Sequence, residues 1–178
     1  MKLVDREWKE FLIDNLFFIY TGGDLILSKI KNGQIPVISH TSSNNGIGAW
    51  SEIIPKRKLF SHKTTISLAD RGNFCAFVQK VDFYIGTRVK ALEFKETVSK
   101  FAMLFVAEQI NKQSVKFNYG SNACDNLNIL KIMLPVQKDY ETIPDWDFMD
   151  KYIKEKVLNK KNYAVFRRTD TFFEEIPL

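Results

Sequence analysis

Cysteine and histidine are scarce in this chain: 178 residues carry two of each. The cysteines, Cys75 and Cys124, form no Cys-x-x-Cys pair, so the spacing of a structural zinc site or a thioredoxin-type redox centre is missing. Cys75 falls in the apolar run Phe74-Cys75-Ala76-Phe77-Val78 and reads as a small core residue. Eight glycines and five prolines are too few for a collagen-like or low-complexity chain. No apolar run approaches the roughly 20 residues of a membrane span. The start, Met1-Lys2-Leu3-Val4-Asp5-Arg6-Glu7, mixes both charge signs and lacks the apolar centre of a signal peptide. The expectation is a cytoplasmic protein without membrane attachment. Nucleophile elbow, phosphate loop and dinucleotide fingerprint are all absent. The nearest glycine feature, Asn44-Asn45-Gly46-Ile47-Gly48, lacks the third glycine and reads as a turn in which Asn and Gly supply positive φ.

What is present suits a folded domain. Hydrophobic residues make up 45% and charged residues 26%, enough apolar material for a core at this length. The net charge of +5 is unevenly placed. Between residues 28 and 63, Lys29, Lys31, Lys56, Arg57, Lys58 and Lys63 stand against Glu52 alone. A second block follows residue 150, with Lys151, Lys154, Lys156, Lys160, Lys161, Arg167 and Arg168 against Glu155. Clustered cations are candidates for a polyanion partner, although a charge run is also the ordinary form of a solvated face.

The pattern of elements is α+β. Phe11, Ile13, Leu16 and Phe17 suggest a short helical turn near Asp14, ended by Thr21-Gly22-Gly23. Ile35 to Ile38 reads as a short strand in which Pro36 implies an edge or a bulge. Lys63 to Ala69 alternates, with Ile66 and Leu68 on one face and Thr65 and Ser67 on the other. After the turn Asp70-Arg71-Gly72-Asn73, Phe74 to Gln79 returns as the second arm of a hairpin. Residues 97–113 switch to a helical period and are apolar almost all round, which predicts a helix deep in the core. Leu127 to Leu134 reads as a strand ended by Pro135. Pro144-Asp145-Trp146 opens a terminal helix whose stripe Trp146, Met149, Ile153 and Val157 packs on the domain or on a second copy. The expected architecture is a mainly antiparallel twisted sheet, a buried central helix and a C-terminal amphipathic helix. The boundary falls between residues 1–143 and a helix and tail at 144–178.

One catalytic pattern can be drawn from these residues. Asp82 followed by Glu93-Phe94-Lys95 matches the loose carboxylate…Glu-x-Lys arrangement of magnesium-dependent nucleases. In a chain this rich in charge such a match arises readily by chance, and charged residues are ordinary on the outward face of a strand.

Five segments taken in order carry more information. They are Trp8…Phe11…Leu16-Phe17; Gly33-Gln34-Ile35-Pro36-Val37-Ile38-Ser39 with Asn44-Asn45-Gly46-Ile47; Thr65-Ile66-Ser67-Leu68-Ala69 with Phe74 to Gln79; Asn118-Tyr119-Gly120 leading to Ile132-Met133-Leu134-Pro135-Val136; and Pro144-Asp145-Trp146-Asp147-Phe148-Met149-Asp150-Lys151-Tyr152-Ile153. Together, over about residues 8–155, they resemble a target recognition domain of restriction–modification specificity subunits of the type I and BcgI-like class. The resemblance implies sequence-specific binding to double-stranded DNA without intrinsic catalysis. It also implies a partner methyltransferase subunit and a restriction subunit. S-adenosylmethionine, ATP and magnesium would belong to those partners, leaving this chain without a cofactor or metal of its own. Family members usually carry two recognition domains, and this chain has room for one. A half-size subunit that forms a homodimer, a truncated form and a partner-dependent module are the alternatives. A protein-interaction module that does not touch DNA is a further one.

Under that reading Lys29, Lys31, Lys56, Arg57, Lys58 and Lys63 are the phosphate-binding candidates. Ser42, Ser43, Asn44, Asn45, Arg71, Asn73, Asn118 and Tyr119 are the base-reading candidates, because amide, hydroxyl and guanidinium groups match base edges. Each has a plainer role open to it: Asn45 in a left-handed turn, Arg71 paired with Asp70, Tyr119 packed on the core. His40 and His62 flank the basic region; either is open to a phosphate contact, with a surface or packing position the plainer role.

Overall fold

A computed structural model describes residues 1–23, 25–70, 74–117, 126–138 and 140–158. Ten strands form three sheets among these residues. The first has the order β1 (Trp8–Leu12), β9 (Lys131–Gln137), β10 (Tyr140–Pro144). The second runs β2 (Phe17–Thr21), β8 (Val89–Phe94), β5 (Thr65–Ala69), β6 (Cys75–Val78), antiparallel throughout. The third is β4 (Ile47–Ser51), β3 (Ile35–Ile38), β7 (Tyr84–Ile85), in which β3 and β7 are parallel. The expected α+β architecture holds, with its strands divided among three sheets.

The second sheet is the middle layer. Ile66, Leu68, Ala76, Val78, Leu92 and Phe94 join the larger core beneath helix α2 (Lys100–Asn111). Val89 and Ala91 join a smaller core with Ile38, Phe60, Phe83 and Ile85 on the side of the third sheet. This explains why β5 departs from the expected half-polar alternation: all five of its residues are buried. Its polar side is covered too. Ser67 lies opposite both Phe77 and Ala91 in the ladders, and its hydroxyl donates to the Phe77 carbonyl at 3.2 Å.

The helices form where the sequence supplies caps. Ser99 Oγ accepts from the Ala102 N–H at 3.2 Å at the start of α2, which is buried around most of its circumference. Its last residue, Asn111, donates from Nδ2 to the Ala76 carbonyl at 3.1 Å and accepts from the Ala76 N–H at 2.6 Å. Asn111 thus acts as a neighbouring strand for β6, the edge of its sheet. Helix α3 (Trp146–Leu158) begins after Asp145, whose carboxylate accepts from the Phe148 N–H at 3.0 Å and pairs with Arg6 at 3.2 Å. Met149 and Ile153 enter the larger core, with Trp146 and Val157 packed at its margin. The stripe on α3 therefore packs on this domain, through Met149 and Ile153 above all.

Several boundaries differ from the sequence reading. The helical turn near Asp14 is present as α1 (Ile13–Leu16). Pro36 lies in the central strand of its sheet, not an edge, but β7 starts opposite Val37, and a register shift follows between Val37 and Ile38. Leu127–Ile129 form a 3-10 turn, and the strand starts at Lys131 and continues through Pro135 to Gln137. That proline is tolerated because the β10 ladder is irregular there; the Pro135 carbonyl instead accepts from the Asp145 N–H at 2.8 Å. Cys75 is half-buried at the start of β6, outside the core assigned to it from sequence. Among the described residues, no helix is long and apolar enough to cross a membrane.

Candidate nucleic-acid interface

The hairpin of β3 and β4 has two distinct ends. At one, Ser39 to Gly46 makes a compact loop. The Ser39 N–H donates to the Gly46 carbonyl at 2.7 Å, and the Gly46 N–H donates to the Ser43 carbonyl at 2.9 Å. Asn44, Asn45 and Gly46 are left-handed, with φ of 47°, 50° and 79°, the conformation that the Asn-Asn-Gly run suggests. Gly46 is required for a second reason: a Cβ there would stand 3.0 Å from the Ile38 side chain, close above Phe77. The loop exposes Ser42, Ser43 and Asn44, whose side chains have no hydrogen-bond partner among the described residues. Asn45 is half-buried.

At the other end the chain is basic. Lys29 and Lys31 border an open groove of about 450 Å³, faced across it by Glu52 to Pro55. The Lys31 carbonyl accepts from the Glu52 N–H at 3.2 Å, which holds the two walls together. Ile54 to Arg57 then form a turn closed by a 3.2 Å backbone bond, with Pro55 and a left-handed Lys56 at its centre, φ 61°. Lys29, Lys31 and Lys56 are exposed and make no ion pair among the described residues. The hairpin arms set this end about 15 Å from the Ser42–Asn45 loop, on the order of four base pairs along a duplex.

The remaining cations of the first block are held differently. Arg57 donates from its guanidinium to the Gly23 carbonyl at 2.9 Å and the Ile85 carbonyl at 3.3 Å, tying the segment after β2 to β7. Lys58 pairs with Glu93 at 2.7 Å and lies 3.6 Å from the Tyr20 ring centre. Lys63 is exposed in the turn before β5.

The three residues of the nuclease pattern have three different partners. Glu93 holds Lys58, Lys95 donates to the Asp14 carbonyl, and Asp82 pairs with His62. The His62 backbone N–H and Nδ1 lie 3.0 and 2.7 Å from the same Asp82 oxygen. The His62 side chain is the main cause that holds the Asp82 carboxyl below its ordinary value, with Lys63 adding a smaller effect. No group of three or more His, Cys, Asp or Glu able to share a metal ion occurs among the described residues. His40 is exposed.

Arg71, Asn73, Asn118 and Tyr119 lie outside the described residues, as do Cys124 and the tail from 159 onward, with its Lys160, Lys161, Arg167 and Arg168. One residue that supports this loop was missed from sequence. Gln79, just after β6 in the returning arm of the β5–β6 hairpin, is 2% exposed. Its Nε2 donates to the Asn45 carbonyl at 2.9 Å and to Ser67 Oγ at 2.8 Å. The available signal was an amide closing an otherwise apolar strand, since a buried amide must be hydrogen-bonded.

A layered domain that offers a braced polar loop at one end of a hairpin, and near its other end exposed lysines that make no ion pair among the described residues, has a surface suited to a polyanion. Residues 5–165 match the family described as the type I restriction modification DNA specificity domain. The chain belongs to this family, as the segments over residues 8–155 suggested. It is 28% identical over 163 residues to the specificity subunit S.BcgI of a type II restriction enzyme from Heyndrickxia coagulans, a match covering 89% of this chain and 47% of that one. Among solved structures, the S subunit of a type I restriction–modification system from M. genitalium superposes with a TM-score of 0.60 at 16% identity, over 95% of this chain and 45% of that one. The HsdS subunit from Thermoanaerobacter tengcongensis gives 0.60 at 12% identity, over 91% and 39%. At such identities these likenesses concern the fold. The chain spans about half the length of the curated relative it matches.

Proposed function

We propose that this domain selects a duplex DNA site for separate methyltransferase and nuclease polypeptides and carries no catalytic step itself. S-adenosylmethionine, ATP and magnesium would act in those partners. The observation that carries the reading is the β3–β4 hairpin, with exposed Ser42, Ser43 and Asn44 side chains, unpartnered among the described residues, at one end and exposed Lys29, Lys31 and Lys56 at the other. The lysines would neutralise phosphates and orient the duplex, while the loop meets base edges. Asn44 suits adenine, and the two hydroxyls suit either donors or acceptors. Lys63 would add a fourth phosphate contact. Since the chain spans about half of its curated relative, two copies, or one copy with a second recognition domain, would read the two halves of a split target.

The test is a titration of the purified chain with duplex DNA at several salt concentrations. Four phosphate contacts give a slope of log K against log salt near about −3.6. Replacing Lys29 and Lys31 together by Ala should make that slope shallower by about 1.8 for every sequence tested. A slope unchanged by the double substitution would remove these lysines from the interface. Binding to the methyltransferase without any footprint on DNA in the complex would overturn the function itself.

A further inference from the structure

The hydrogen bonds beneath the Ser42–Asn45 loop come from a different hairpin. Gln79 ends the second arm of the β5–β6 pair, and its amide bridges two elements: the Asn45 carbonyl in the loop above and Ser67 Oγ in β5 below. Ser67 is itself anchored on the Phe77 carbonyl and is fully buried. Phe77 completes the support, because its ring is close to Gly46. The loop is thus fixed at Asn45 by a side chain that reaches neither solvent nor any exposed loop residue. Both donor hydrogens of the Gln79 amide have partners, which fixes the direction of the Asn45–Gly46 peptide at the base of the loop, one residue from Asn44.

We infer that Gln79 is a positioning residue for sequence discrimination: it sets the aim of the Ser42–Asn45 loop without touching DNA. The inference rests on the proposal that this loop reads bases. A reading element held only by its own backbone would adapt to any base pair, whereas a loop braced from the sheet discriminates, since a misplaced amide leaves polar groups unpaired. Phosphate contacts at the far end of the hairpin are independent of the brace.

Selection from a duplex library with a randomised centre, using the full chain, tests this together with affinity for a mixed-sequence duplex at matched salt. Gln79→Met preserves size and removes both bonds. It should lower the preference for enriched over mixed sequences about tenfold or more, with mixed-sequence affinity and salt slope within about twofold of wild type. The Ser42→Ala, Ser43→Ala, Asn44→Ala triple variant should lower the preference in the same way. If the triple variant flattens the preference and Gln79→Met does not, the brace has no part in discrimination and the inference fails. Loss of both affinities by the same factor in Gln79→Met would also overturn it, as the mark of a merely structural residue. If the triple variant leaves the preference intact, the loop does not read bases, and the functional proposal fails at that point. Should Gln79→Met melt too early for binding work, Ser67→Ala keeps the Asn45 bond and removes only the lower anchor. It should give an intermediate preference, and a wild-type one would count against the brace.

Discussion

Lys56 holds a conformation that its side chain disfavours, so its charge and its backbone can be tested separately. At φ 61° it occupies the left-handed region, where a residue with a Cβ is less stable by about 1–2 kcal/mol. Glycine removes that strain but is more flexible when unfolded, a counter-effect of about 0.5–1 kcal/mol. Lys56→Gly should therefore stabilise the fold by about 0.5–1 kcal/mol, or about 1–4 °C in melting temperature for a domain of this size. Lys56→Ala retains the strain and should give no such gain. Both variants lose one exposed charge. Each should make the salt slope of DNA binding shallower by about 0.9, which at 0.1 M salt corresponds to about eightfold weaker binding. The assays are thermal melting by circular dichroism and fluorescence anisotropy on a labelled duplex across salt concentrations. If Lys56→Gly melts no higher than Lys56→Ala, the strain argument is wrong. If both variants keep the wild-type slope, Lys56 does not meet a phosphate.

Arg57→Ala should behave in the opposite way, costing about 2 kcal/mol in urea denaturation through the lost bonds to Gly23 and Ile85, with little change in salt slope. A drop in slope of about 0.9 at unchanged stability would return Arg57 to the phosphate contacts. Asn111→Ala removes both bonds to Ala76, a residue 1% exposed, and should destabilise by about 2–4 kcal/mol in the same assay. A loss under 1 kcal/mol would mean that the β6 edge is held by other groups. Asp82, lowered in the folded state mainly by the His62 side chain, favours folding above the ordinary carboxylate value and loses that contribution as pH falls through its folded value. An NMR titration should place the Asp82 midpoint below that of an unstructured Asp, and His62→Phe should raise it; an unmoved midpoint would discard the pairing.

The sequence revealed the elements whose signals are local. The Asn44-Asn45-Gly46 turn, the β5–β6 hairpin, the buried helix and the start of α3 all depend on residues within a few positions of one another. The division into three sheets was not legible, because it depends on which strands pair across long separations, as when Leu12 meets Lys131. The burial of β5 was not legible for the same reason: Thr65 and Ser67 alternate as an outward face, but both are buried, and Ser67 is held by the Phe77 carbonyl and the Gln79 amide. At the interface, the basic block from 28 to 63 looked uniform in sequence. Folding divides it, because Arg57 and Lys58 find partners at Gly23, Ile85 and Glu93, positions that charge counting does not connect.

That division bears on how such a domain can change its target. The exposed side chains of Ser42, Ser43 and Asn44 contribute nothing to either core, so substitutions there should alter base contacts at little cost in stability. Gln79, Ser67 and Gly46 are not free in the same way: Gln79 and Ser67 are buried and bonded to each other, and Gly46 is buried over Phe77. A frame that keeps these three while varying the three exposed positions should remain folded and bind DNA with the same salt slope. Its preference among sequences would then be set by the loop alone. On the proposed function the hairpin separates the two requirements physically: phosphate binding would depend on lysines at one end, and discrimination on a braced loop at the other.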